Sequence, residues 1–270
     1  MITEDLFIDF NTKIINEEFL YYLNTPGKLG NISYKNNIIK YFQQFTFYKK
    51  ELELWKNQKI KNKIIHNRCK YLNKNINELT NIDILQGFKR SGIYYGYSHF
   101  NPLWFKWFIN NYNIKTCYDP CGGWGHRLLG SLDLNLYIYN DLSTSIKNNV
   151  DNIINYFNMF HVKTYNNDCR TFIPSEKFES IFTCPPYFNL EHYECGDFKN
   201  IEEYNEFLKS LFNIFYSLDF CNIFGLVIRE DLLNKTLYKP TEEYNLNIHK
   251  SMHITKGNKK NVEKLYIFKK

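Results

Sequence analysis

Four short stretches carry residue types that could do chemistry together. The first spans residues 115–130, K-T-C-Y-D-P-C-G-G-W-G-H-R-L-L-G. Asp119 closes a buried apolar run. After Pro120 and Cys121, the glycines Gly122, Gly123 and Gly125 let the backbone turn sharply and approach a ligand where a Cβ would collide. A glycine turn also serves purely structural caps, so by itself it leaves both readings open. The second and third stretches are apolar runs ending in acids: 136–139 leads into Asn140-Asp141, and 162–165 into Asn167-Asp168. A carboxylate about 20 residues after a glycine turn is placed to accept both hydroxyls of a ribose, and Asp141 fits that role. The fourth is Thr183-Cys184-Pro185-Pro186-Tyr187. Two prolines stiffen that turn, and the expectation is that it holds a carbonyl row and the Tyr187 ring outward.

The elements that must position these groups follow from hydrophobic periodicity. Short apolar runs predict strands ending near residue 118, at 136–139, 162–165, 180–183 and 224–228, and a last pair at 244–249 and 265–268. Helical spacing predicts helices at 103–112 and 201–215, with Tyr204, Phe207, Leu208 and Leu211 on one face. Another helix is predicted from near His126, carrying Leu128, Leu129 and Leu132 inward, so that its free N–H groups point at the glycine turn.

The pair D-P-C-G-G-W-G and T-C-P-P-Y, about 60 residues apart with two acids between, resembles the class I S-adenosylmethionine-dependent methyltransferases. Within them it is similar to the phage- or viral-type DNA amino-methyltransferases that modify adenine N6 or cytosine N4. The resemblance covers residue 98 to the end. It implies an α/β fold: a Rossmann-like, seven-stranded, mostly parallel sheet flanked by helices, ending in an antiparallel hairpin with residues 256–260 as its turn, plus a helical N-terminal extension. It implies S-adenosylmethionine as cofactor, held by Asp119, Cys121, Gly122, Gly123, Gly125, Asp141 and Asp168. His99 and Asn101 match, more loosely, a segment that closes over the cofactor's methionine end, as does Ser98.

Catalysis is implied for Cys184, Pro185, Pro186 and Tyr187. The first side chain and the next carbonyl accept from the target amine, while the tyrosine stacks on the base. Cys184 departs from the family, since a thiol is a weak acceptor. The family of carbon-5 methylating enzymes uses Pro-Cys-Gln, which does not occur here. Cysteine is closest in size to serine, and the serine variant goes with cytosine N4. Asn189, Glu191 and Tyr193 match the loop beside the flipped nucleotide. An RNA or protein-amide methyltransferase and an inert nucleic-acid-binding descendant are the alternative readings.

Composition sets the frame. The 270 residues, 44% hydrophobic and 18% aromatic, supply ample core for one large or two small domains. The abundance of Asn, Ile, Lys and Tyr looks like an AT-rich genome, such as that of a virus or parasite. No apolar run approaches the roughly 20 residues of a membrane span, and residues 1–10 lack a leader's pattern, so a soluble intracellular protein is expected. Seven cysteines without Cys-x-x-Cys suggest reduced thiols, with neither a disulfide framework nor a metal site; His249 and His253 read as strand or surface residues.

Charge is unevenly divided. Residues 1–118 hold 17 Lys and Arg against 9 Asp and Glu, whereas 119–270 hold 17 against 19. Most of the excess lies in 49–74, the electrostatic footprint of a polyanion partner, or else a solvated helix in a lysine-rich proteome. The domain reading is a basic, mainly helical recognition region at 1–95 and a catalytic domain at 96–270. Double-stranded DNA is the expected partner, touched by Lys59, Lys61, Lys63 and Arg68, with Lys89 and Arg90 as further phosphate contacts. The stripe Ile38, Tyr41, Phe42, Phe45 and Tyr48 reads as core in preference to a base-stacking surface.

Overall fold

The computed structural model describes residues 12–30, 32–47, 49–90, 99–188, 197–249 and 261–270. The chain forms two compact units: one from the described residues within 1–18 and 36–99, the other from Phe19–Lys35 and Phe100–Lys270.

The second unit is built on one seven-stranded sheet. Its strands are β1 (Thr116–Asp119), β2 (Leu136–Asn140), β3 (Val162–Tyr165), β4 (Ser180–Thr183), β5 (Ile223–Arg229), β6 (Glu242–His249) and β7 (Asn261–Lys269). The spatial order is β3-β2-β1-β4-β5-β7-β6. The first five are parallel, while β7 lies antiparallel between β5 and β6. This is the Rossmann-like, mostly parallel sheet with an antiparallel end that the resemblance implies, and its strands fall on the apolar runs. Continuous burial of β1, β2, β4 and β5 explains why those strands read as unbroken apolar runs, since parallel strands covered on both faces have no solvent side. The chain steps outward from β1 through β2 to β3, then returns to build β4 on the opposite flank. That reversal makes β1/β4 the topological switch point, where the strand ends open a crevice.

The flanking helices are locally encoded. The helix at Pro102–Asn111 starts with Asn101 as its cap and Pro102 in its first turn. The one at Thr144–Phe157 is capped by Ser143 and ends on Asn158 in the left-handed region (φ 53°). The helix at Ile201–Ser217 has Asn200 as cap and Glu202 and Glu203 in its first turn, and it buries Tyr204, Phe207, Leu208 and Leu211 as expected. The expected helix at His126 is shorter than its pattern suggests. It covers only His126–Gly130, with Leu128 and Leu129 buried and Leu132 beyond its end. Gly130 packs so close to the next helix that a Cβ there would lie 2.4 Å from the Pro102 carbonyl oxygen. One turn of helix is too short to present the strong N-terminal dipole expected of it.

The stretch 19–35 packs on the helix at Pro102–Asn111. The Lys28 amide donates to the Leu103 carbonyl at 3.0 Å, and Trp104 Nε1 to the Gly30 carbonyl at 2.9 Å.

The first unit is helical, with helices at Asn37–Phe47, Lys49–Trp55, Gln58–Leu72 and Asn81–Arg90. Its core includes Ile38, Trp55, Ile64, Ile84 and Phe88. Gly87 lies inside the last of these helices, where a Cβ would meet Ile64 Cγ2 at 2.7 Å. No described helix is long and apolar enough to cross a membrane.

Candidate active site

Asp119 ends β1 fully buried, and a buried carboxylate must be paired. Arg127 supplies the pair: its Nε donates to Asp119 Oδ2 at 2.5 Å and its Nη2 to Oδ1 at 3.2 Å. Tyr137 Oη donates to Oδ2 at 2.6 Å, and Thr183 Oγ1 to Oδ1 at 3.0 Å. The same arginine donates to the Cys121 carbonyl, which folds the turn back over its own strand. Burial works against the guanidinium charge, but the carboxylate of Asp119 outweighs it and holds Arg127 protonated well above its usual range. Asp119 therefore builds the turn from below and ties the end of β1 to the end of β4.

β2 holds the turn from the side. Side chains two apart on a strand share a face, so Tyr137 and Tyr139 both reach toward the turn. Tyr139 Oη donates to the Gly123 carbonyl at 2.6 Å. Its ring explains Gly122, where a Cβ would lie 2.0 Å from Tyr139 Cε2. Asn140, also buried, donates from Nδ2 to the carbonyls of Pro120 and Asn167, both at 3.0 Å, and so clamps three strand ends. Gly123 (φ 59°) and Gly125 (φ 91°) occupy backbone conformations that an L side chain adopts only at a cost. A Cβ on Gly123 would meet nothing within 4 Å, so that side of the turn is open.

Asp141 follows β2 directly. One oxygen accepts the Gly123 amide at 2.8 Å and the other the Ser143 amide at 2.9 Å. Burial raises its pKa above the ordinary carboxylate value, against the two backbone donors, which lower it. Asp168, past the end of β3, is held in a bidentate grip by Arg170, with Nη2 2.5 Å from Oδ2 and Nε 2.9 Å from Oδ1; that pairing lowers its pKa. Next to it, Cys169 Sγ lies 3.6 Å from Cys121 Sγ, so the first and third strand ends also meet through their thiols.

Thr183-Cys184-Pro185-Pro186-Tyr187 leaves β4 beside this turn. Cys184 is half-buried and Pro185 buried. Tyr187 departs from expectation: only 6% of it is exposed, and its ring belongs to the apolar core with Tyr204 and Phe207. Its hydroxyl donates to Glu263 on β7 and receives the Cys184 thiol at 3.5 Å. The ring turns inward because a buried carboxylate, contributed by the antiparallel strand, holds its hydroxyl. Burial pushes the Tyr187 pKa well up.

Asn101 is committed elsewhere. Its Oδ1 accepts the Leu103 amide at 3.0 Å and its Nδ2 donates to the Ile32 carbonyl at 3.3 Å, so both ends of the amide serve the helix cap. His99 is counted with the first unit. Ser98, Asn189, Glu191, Tyr193, His253 and the 256–260 turn lie outside the described residues.

The basic residues of the first unit divide. Lys59, Lys63 and Lys70 are exposed on the helix Gln58–Leu72, and Lys61 lies over the Trp55 ring at 5.0 Å. Arg68 is buried, 3.6 Å from Asp83 and 3.2 Å from Gln86 Oε1, and so faces the interior and not a phosphate backbone. Arg90 stacks over the exposed Tyr71 ring at 4.4 Å. Lys89 lies in the helix Asn81–Arg90, with its side chain outside the described part.

Sequence reasoning passed over Arg127, Tyr137, Tyr139, Arg170 and Glu263. Three of these had a signal: an arginine set among buried leucines needs a buried partner, and Tyr-x-Tyr in a strand puts two hydroxyls on one face.

The sheet order and the strand-end turn define a Rossmann-like, mostly parallel architecture. No family model and no curated protein matches the chain. Solved structures similar to it include the human methyltransferase 10 domain containing protein (10% identity, TM-score 0.46, 62% of this chain and 80% of that one). The N-terminal domain of human METTL16 in complex with SAH is another (12%, 0.42, 62% and 67%). TrmN from Thermus thermophilus is a third (14%, 0.45, 63% of this chain and 48% of that one). The chain thus spans about half the length of the TrmN structure.

Proposed function

We propose that this protein is an S-adenosylmethionine-dependent methyltransferase acting on an exocyclic amine of a base in DNA. One observation carries the reading: β1 lies between β2 and β4, so the glycine turn, Asp141 and Cys184 stand at the carboxyl ends of three adjacent parallel strands. The residues fit the cofactor. The open side of Gly123 leaves room for a ligand against the backbone. Each Asp141 oxygen accepts from one backbone amide and keeps acceptor capacity for a ribose hydroxyl. Asp168, with its carboxylate kept ionised by Arg170, would accept from an adenine amino group.

The cofactor supplies an electrophilic methyl group. The chain supplies positioning: strand ends that hold the donor, and a Cys184-Pro185 edge that receives the amine N–H, with in-line placement contributing most of the rate. The exposed face with Lys59 and Lys63 supports a polyanion partner.

The test is incubation with labelled S-adenosylmethionine and either unmodified duplex DNA or RNA, followed by mass spectrometry of the nucleosides. N4-methylcytosine or N6-methyladenine from DNA is expected. Label in RNA alone would move the substrate to RNA, and absence of cofactor binding by calorimetry would remove the reading altogether.

A further inference from the structure

On the helix Gln58–Leu72, Ile64, Arg68 and Tyr71 follow at i, i+4 and i+7, the spacing that places residues on one helix face. Ile64 and Arg68 are buried, yet Tyr71, in the last turn, is 62% exposed. Two guanidinium groups hold its ring: Arg90, from the helix Asn81–Arg90, lies 4.4 Å from the centroid and Arg68 5.4 Å. A guanidinium over a ring is attracted by the ring's quadrupole, which fixes the plane of the ring while most of it stays in solvent.

Beside the ring runs a line of charge. At roughly 3.6 residues per turn and 1.5 Å per residue, Lys59, Lys63 and Lys70 lie within an arc of about 40° over a length of about 16 Å. All three are exposed, and none has a carboxylate partner among the described residues. Neighbouring cations are engaged within the unit: Lys74 lies 3.2 Å from Asp83, and Lys61 over the Trp55 ring.

We infer that Tyr71, backed by Arg90, is a base-stacking platform beside a phosphate-binding line, and that the occupant of this surface is a single-stranded stretch of DNA. A line of lysines alone serves duplex and single strand alike, because both present phosphates. An exposed ring of fixed plane adds something only for a strand whose base faces are free, and a basic track with a stacking ring is how single strands are held without regard to sequence. The inference rests on the proposed function only for DNA as the polyanion. It deepens that reading, since a base whose exocyclic amine is to be alkylated must leave the duplex stack, and a single strand costs the least unstacking.

The test is binding of the full chain to labelled probes of equal length: a single strand of thymidines, the same strand with abasic sites in place of its bases, and a blunt duplex. Tyr71→Ala should bind the thymidine strand about tenfold more weakly, as for the loss of one stacked base, and should bind the abasic strand and the duplex as wild type does. Tyr71→Phe keeps the ring and should keep wild-type affinity. The slope of log affinity against log salt should be the same in Tyr71→Ala and wild type, because stacking releases no counterions. Arg90→Gln should weaken binding of the thymidine strand more than of the abasic one, since it removes the backing of the ring as well as a charge. Thermal unfolding of Tyr71→Ala should match wild type, because the side chain is exposed.

Wild-type affinity of Tyr71→Ala for the thymidine strand, or an equal loss on the abasic strand, would overturn the stacking role. An equal loss on the duplex, or a strand of uridines bound far more tightly than one of thymidines, would overturn single-stranded DNA as the occupant. Methyl transfer enters none of these readouts. A protein that gives the expected binding pattern but transfers no methyl group keeps this surface and loses the proposed reaction, while one that methylates DNA with Tyr71→Ala binding every probe as wild type does keeps the reaction and loses the surface.

Discussion

Arg127 and Asp119 form a buried pair in which one guanidinium donates to both carboxylate oxygens and, in addition, to the Cys121 carbonyl. The strand, the turn and the short helix are thereby locked into one object before any ligand arrives. Breaking a buried pair from one side strands a charge. Arg127→Met and Asp119→Ala should each cost about 3 to 5 kcal/mol in urea unfolding, and the double variant less than their sum. Additive losses would mean that the two residues do not act as a unit.

Gly123 separates folding from binding. Its left-handed backbone makes Gly123→Ala cost about 1 to 2 kcal/mol of stability, while the new methyl group enters the open side of the turn. Calorimetric titration with S-adenosylmethionine should show a loss of affinity larger than that strain explains. Asp141→Ala should abolish binding, because it removes both the proposed ribose acceptor and the acceptor for the Gly123 amide.

The edge strand β6 offers a pH test. Lys269 first, then Tyr244 and Tyr112, hold Glu242 down to about 2, against a value near 4.5 when unfolded. A depressed carboxylate contributes stability that is present above its unfolded pKa and lost as pH falls through its folded pKa. Glu242→Gln should therefore cost about 1 kcal/mol at neutral pH, allowing for partial solvent screening. The difference from wild type should shrink between about pH 4.5 and pH 2 in thermal unfolding.

The exposed lysines and the buried arginine of the first unit should behave differently. Changing Lys59, Lys63 and Lys70 to Gln should flatten the log affinity against log salt slope for duplex DNA by up to about three units, weakening all sequences alike. Fold stability should be untouched. Arg68→Gln should instead lower stability, because it breaks a buried contact with Asp83. An unchanged slope in the triple variant would move DNA contact off this helix.

The sequence by itself determined the strands, their order along the chain and which residues stand at their ends. These depend on local causes. Buried parallel strands must be short apolar runs, a ligand-approaching turn must be glycine, and helix starts need Asn or Ser caps, as at Asn57, Ser143 and Asn200. Tertiary structure decided which polar groups are spent on holding the fold. Asn101 reads like a site residue but closes a cap with the carbonyl of Ile32, 69 positions away. Arg68 reads like a phosphate contact, yet Asp83 and Gln86 draw it inward. Tyr187 reads as an outward ring, and Glu263, 76 positions later, turns it into the core. No local pattern encodes such choices. They follow from which strand is inserted beside which, and β7 entering between β5 and β6 is what carries a carboxylate to the end of β4.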